Sequence, residues 1–270
     1  VLFVYDQGDR SFLLSGSVEA WSVVPQMYVS NGRIEDPSWT AVRLTPAMSQ
    51  QLHNIDRLAA TEPLYVEALA QPEAGKYLND AVDQSFEALR QRFIVEAGWD
   101  FLGRLDGMFE SLDARPLPGQ SSQSWNKAGR AFDFNFREAL GFEPQVELVK
   151  LSINGETYWR EYVQTADQDG SQGEPLRSLT WDLQARSGDD PSYYEQGGKW
   201  RATVPEGYYI DFTALAADYG WSWVPANSNW RTYFPDIRYW HYQKRDNLSW
   251  EAAMRQLYTD DELAPYLERP

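Results

Sequence analysis

The stretch Ser124-Trp125-Asn126-Lys127-Ala128-Gly129-Arg130-Ala131-Phe132-Asp133 decides how the rest of the chain is read. Turn residues precede it at Pro118 and Gly119, and Ala128-Gly129-Arg130-Ala131 sets small residues between polar ones. Small residues there let the backbone pass close to a neighbour. If the segment turns from loop into a short strand, Asp133 points back toward the space that Asn126 faces. One ligand on a loop, a second on a strand and a third from far along the chain is how a mononuclear metal site is built. The chain has 2 histidines. His241, in Tyr239-Trp240-His241-Tyr242, is the distant third member, whereas His53 lies off its neighbours' apolar stripe and reads as a surface residue.

Working outward, residues 1–45 read as short strands and turns. Leu2-Phe3-Val4-Tyr5 and Ser11-Phe12-Leu13-Leu14 flank a turn and predict a hairpin. Thr45-Pro46 marks a helix start, and Met48, Leu52, Ile55, Leu58 and Ala59 recur at helical spacing. A short helix is expected over 64–70. A longer one is expected from about Ala74 or Tyr77 to Ala97, with Leu78, Ala81, Phe86, Leu89, Phe93 and Val95 inward and Gly98 at its end. Residues 99–112 form a strand or helix leading into a loop. Beyond Asp133, Phe134-Asn135-Phe136 extends the strand. Residues 145–151 and 157–164 alternate as strands about the turn Asn154-Gly155.

Residues 166–205 are rich in Asp, Gly, Ser and Pro and read as a loop insert. Within it, Asp167-Gln168-Asp169-Gly170 reads as a solvated turn, because the remaining spacing of a calcium loop is missing. Strands follow at 208–212, 221–224 and 239–243, with a short helix at 213–219 closed by Gly220 and an aromatic loop at 230–235. A helix from Asn247 to about Tyr258 and a last turn at 260–267 complete the chain.

Composition narrows the classes of function. At 270 residues the chain is long enough to bury a substantial core. A formal net charge of −16 repels phosphate backbones and anionic lipid, which argues against nucleic-acid and membrane-surface binding. The absence of cysteine removes disulfides, thiol catalysis and thiolate zinc sites. No apolar run approaches the roughly 20 residues of a membrane-spanning helix. The 12 Trp and 16 Tyr exceed what a core alone requires, so an aromatic groove for sugar or peptide is one reading and ring packing in an irregular core is the other. A start at Val1 is expected of an exported chain that has lost its leader, or of a piece of a longer protein.

The order Ser124-x-Asn126-x-x-Gly129-x-Ala131-x-Asp133, then Tyr219-Gly220-Trp221, then Trp240-His241-Tyr242 resembles the LAS metallopeptidases. That family includes the D-alanyl-D-alanine carboxypeptidases of peptidoglycan metabolism and the hedgehog fold. The resemblance spans roughly residues 115–245. It implies that Asp133 and His241 stand at the second and third zinc-ligand positions and Asn126 at the first, where the family has histidine. It places Arg238 at the position of the catalytic glutamate. Ser124, Gly129, Arg130 and Trp240 would line the pocket. A neutral amide is a poor replacement for imidazole on zinc. An arginine cannot serve as general base. Asp236 is the nearest substitute, if strand alternation puts it on the same face as Arg238. An Arg238–Asp133 ion pair is the expected filling of an emptied pocket.

The fold expected is α+β, with helices on one side of a small, mostly antiparallel sheet and a hedgehog or carboxypeptidase-like core. Residues 1–45 would form an N-terminal strand segment, 46–114 a helical segment on the core, and 115–270 the core with its insert at about 166–205. The function expected is that of a catalytically degenerate peptidase-fold domain, extracellular or in the cell envelope, that binds a peptide, a cell-wall ligand or other envelope proteins. A structural subunit of an envelope assembly is one alternative. An active zinc carboxypeptidase on cell-wall peptides is the other. No cofactor is expected, with zinc implied only if the site still functions.

Overall fold

A computed structural model describes residues 2–7, 10–15, 21–30, 33–43, 52–54, 77–117, 120–141, 143–188 and 190–267. The described residues form a mixed α+β structure of small antiparallel sheets and few helices. In chain order the strands are β1 (Leu2–Gln7), β2 (Arg10–Ser15), β3 (Trp21–Ser30), β4 (Arg33–Arg43), β5 (Leu52–Asn54), β6 (Tyr77–Asn79), β7 (Leu105–Gly107) and β8 (Ala131–Phe134). They continue as β9 (Val146–Ile153), β10 (Glu156–Gln164), β11 (Glu174–Pro175), β12 (Trp181–Asp182), β13 (Lys199–Trp200), β14 (Tyr208–Asp211), β15 (Ser222–Trp223) and β16 (His241–Gln243). The α-helices are α1 (Asp80–Ala97), α2 (Pro191–Gln196), α3 (Phe212–Asp218), α4 (Trp250–Met254) and α5 (Asp260–Leu267).

The described strands make two four-stranded sheets, ordered β15-β16-β8-β7 and β11-β14-β10-β9, and four separate two-stranded ladders, β1-β2, β3-β4, β5-β6 and β12-β13. The single small sheet expected from sequence is therefore divided. The β1-β2 hairpin pairs Leu2 with Ser15 through Gln7 with Arg10. Residues 52–54 pair with β6 as a strand, where apolar spacing called for a helix. A strand partner decides the conformation of so short a segment over its local preference. The rest of that expected helix, the one at 64–70 and the side chain of His53 lie outside the described residues.

Helix α1 begins where Asn79 accepts a hydrogen bond from the Ala81 amide at 3.0 Å, and ends at Gly98 in the left-handed region, φ 79°. Val82, Phe86, Leu89, Phe93 and Ala97 recur every three or four residues and are fully buried. Val95, expected inward, is 70% exposed, and Ala81 is also exposed. Two residues beyond Phe93, Val95 is turned by roughly 200° to the outer face.

The buried stripe of α1 meets aromatic residues from the first sheet and α3. Phe86 packs edge-on to Phe132 and Trp221, and Phe93 edge-on to Phe212. Phe132 stacks on Tyr242, ring centroids 5.5 Å apart. Each such ring contributes about 2 kcal/mol or more by burial, so this layer fixes β8 and β16 beneath the helix.

The β9-β10 hairpin turns at Asn154 and Gly155, φ 53° and 85°, as the Asn-Gly pair dictates. Strand β8 stops at Phe134, short of the expected extension. The Asn135 side chain accepts from the Arg137 amide at 3.1 Å and starts a 3₁₀ turn at Phe136–Ala139. A buried link joins the two larger sheets: Thr213 of α3 and Tyr242 of β16 both donate to Glu161 of β10.

Candidate functional site

Ser124 caps a 3₁₀ turn, Trp125–Ala128, its hydroxyl accepting from the Asn126 amide at 3.2 Å. Gly129, φ 63°, closes the turn and directs the chain into β8. On β8, Asp133 stands directly opposite His241 of β16. The sheet register thus brings together residues 108 positions apart, and Asp133 Oδ1 lies 2.8 Å from His241 Nδ1. Asn126 Nδ2 donates to the other oxygen, Asp133 Oδ2, at 2.8 Å. Ser124 Oγ donates to Asn126 Oδ1 at 3.0 Å. Positions 126, 133 and 241 therefore meet, in a chain of hydrogen bonds running from Ser124 to His241.

Each bond fixes the next. Asp133 is the acceptor for Asn126 and His241, so the Asn126 amide must present nitrogen to it and oxygen to Ser124. The same carboxylate faces His241 Nδ1, so that nitrogen is the one that carries a hydrogen toward it. Gly107 on β7 also shapes the site: a Cβ there would lie 2.9 Å from Asp133 Oδ2.

Two further residues belong to the site. Glu110 lies close enough to feel Asp133, Lys127 and His241. Its carboxyl is pushed upward, first by burial and then by the charge of Asp133, against the pull of Lys127, His241 and Ser124. Its amide donates to Asn126 O at 3.2 Å. Lys127 donates to Leu112 O at 3.1 Å and Ala114 O at 2.8 Å, which ties the preceding loop to the turn. Burial pushes the Lys127 amine downward. Neither residue has a sequence signal beyond the nearness of Lys127 to Asn126, because only the loop path returns Glu110 to Asn126.

The remaining expected members sit as follows. Arg238 occupies the left-handed region, φ 57°. Burial lowers its pKa, while Asp133 and Asp236 raise it. The expected Arg238–Asp133 ion pair does not form among the described residues, where the Asp133 oxygens instead meet Asn126 and His241. Asp236 closes a 3₁₀ turn, Phe234–Asp236, and accepts from Asn227 Nδ2 at 2.9 Å. The strand alternation assumed for it is absent at this turn, although its charge reaches Arg238. Arg130 turns to the C-terminal segment, bonding Asp246 at 2.8 Å, Lys244 O at 3.2 Å and Gln256 at 3.2 Å. Trp240 stacks on Phe234, centroids 5.5 Å apart.

The donor set fits zinc poorly. Two conventional ligands, Asp133 and His241, are present, and the third position offers an amide whose oxygen is already bonded to Ser124. Among the described residues no group of three or more His, Cys, Asp or Glu is arranged to hold a metal ion. No helix among them is long and apolar enough to cross a membrane.

Fold and cluster together define an α+β protein with an amide–carboxylate–imidazole cluster set on paired strands. No family model, curated protein or solved structure matches the chain.

Proposed function

We propose that the chain is a catalytically degenerate relative of the LAS metallopeptidases, with a hedgehog or carboxypeptidase-like core, serving as a binding or assembly module outside the cell or in its envelope. The supporting observation is the Asn126 amide, which donates to Asp133 in place of presenting a third metal ligand. Its N–H supplies locally what a cation would otherwise give the carboxylate. Arg238 adds positive charge nearby and removes the carboxyl that hydrolysis would require. The retained pocket then binds a peptide or cell-wall fragment, or a partner protein, without cutting it.

The test is direct. The purified chain should carry far less than one equivalent of zinc by elemental analysis, and should release no terminal D-alanine from muropeptides. A full equivalent of tightly held zinc, or cleavage, overturns the proposal in favour of the active carboxypeptidase.

A further inference from the structure

Lys150 of β9 holds its ammonium in a box of indoles. Its Nζ lies 3.3 Å from the ring centroid of Trp181, 5.5 Å from Trp200 and 5.6 Å from Trp230. The box is rigid. Trp181 and Trp200 are cross-strand partners in the β12-β13 ladder, with rings edge-on at 5.2 Å. Trp181 Nε1 donates to Gly197 O at 3.1 Å, and Trp230 meets the fully buried Trp159 edge-on at 5.1 Å. A Cβ on Gly198 would come within 2.4 Å of Asp182 O, so the backbone itself closes against this ladder. Trp181 and Trp230 are buried, while Trp200 is 42% exposed and offers an open aromatic surface.

A second cation stands beside the box. The guanidinium of exposed Arg231 lies 5.5 Å from the Trp230 ring centroid. Burial first, and then the charge of Arg231, push the Lys150 amine down to about 8. Among the described residues neither Lys150 nor Arg231 forms an ion pair with a carboxylate, although the chain carries a net charge of −16. Indole faces offset part of the desolvation of an ammonium but leave its charge in place. An anion set between Lys150 and Arg231 would relieve the repulsion between them.

We propose that this face binds an acidic sugar, its ring against Trp200 and its carboxylate shared by Lys150 and Arg231. The platform calls for a ligand with a flat apolar face, and the cation pair for one negative charge on it. A polyanion such as nucleic acid is disfavoured by the net charge of the chain. None of the residues involved belongs to the Asn126–Asp133–His241 cluster, so the proposal stands apart from the reading of that pocket.

Titration of the full chain with trigalacturonic acid, beside maltotriose as the neutral control, tests it by calorimetry. The acidic trisaccharide should bind at least about tenfold more tightly than the neutral one, the worth of one charge-assisted contact. Arg231→Met and Trp200→Ala should each weaken it by about tenfold, and Arg231→Lys should retain most of the affinity. Arg231 is exposed, so both of its variants should fold. Equal binding of the two sugars, no binding of the acidic one, or affinity unmoved in Arg231→Met overturns the proposal.

Discussion

His241 and Asp133 stand opposite one another on antiparallel strands, and that register alone carries the imidazole to 2.8 Å from the carboxylate. Because β8 and β16 are clamped beneath α1 by Phe86, Phe132 and Tyr242, the pair is held by the core and not by a loop. The cluster is therefore coupled to stability.

Asp133→Asn should lower stability by about 1–3 kcal/mol, since the added amide nitrogen cannot accept from the donors that the carboxylate now satisfies. Chemical denaturation monitored by tryptophan fluorescence measures this. An unchanged midpoint would mean that the bonds to Asn126 and His241 contribute nothing.

Gly107→Ala should act through the same carboxylate. The new methyl meets Asp133 Oδ2 at 2.9 Å, and the carboxylate, held from two sides, has little freedom to retreat. A loss of about 1 kcal/mol is expected, within the range for overpacking, with a shifted His241 ring resonance in NMR spectra. A silent substitution would show that β7 is free to move away.

Glu161 gives the clearest pH signature. Its carboxyl is fully buried, and burial raises it from an ordinary 4.5 to about 8, against hydrogen bonds from Thr213 and Tyr242. Between those two values the folded chain binds more protons than the unfolded one, so stability falls as pH rises toward 8. Its Oε1 has no partner among the described residues, which leaves the ionised form short of a bond. Glu161→Gln should therefore melt progressively higher relative to wild type as pH is raised from 5 to about 8. A constant gap across that window would contradict the assignment.

Phe93→Ala should cost about 3–5 kcal/mol, because its ring fills the space between α1, Trp99, Phe101 and Phe212. Val95→Ser, two positions on, should change stability by less than about 0.5 kcal/mol. Thermal melts of the two variants separate the inner face of α1 from the outer.

Much of the local structure was legible in the residues. Asn154-Gly155 specified its hairpin, Gly98 its helix end, and the Ser124-to-Asp133 stretch its turn and strand, because each depends on local backbone chemistry. The convergence of Asn126, Asp133 and His241 was expected from the scarcity of histidine and from the resemblance to the LAS pattern, and the β8-β16 register is what brings Asp133 and His241 together. Helix spacing at residue 52 misled because pairing with β6 overrides it. Val95 misled because a valine near a helix end need not lie on the buried face. The alternation assumed around Asp236 is absent because the chain turns in 3₁₀ form there. Glu110 was missed because only the loop path returns it to Asn126, and the Lys150 box because its indoles come from three separate segments.

Zinc titration of wild type beside the Asn126→His, Arg238→Glu double variant, followed by calorimetry, tests the account most directly. The variant completes a two-histidine, one-carboxylate set and should bind one equivalent, whereas the wild type should not saturate under the same conditions. Stoichiometric binding by wild type, or none by a folded double variant, would contradict a pocket in which the Asn126 amide stands in for a lost metal ligand.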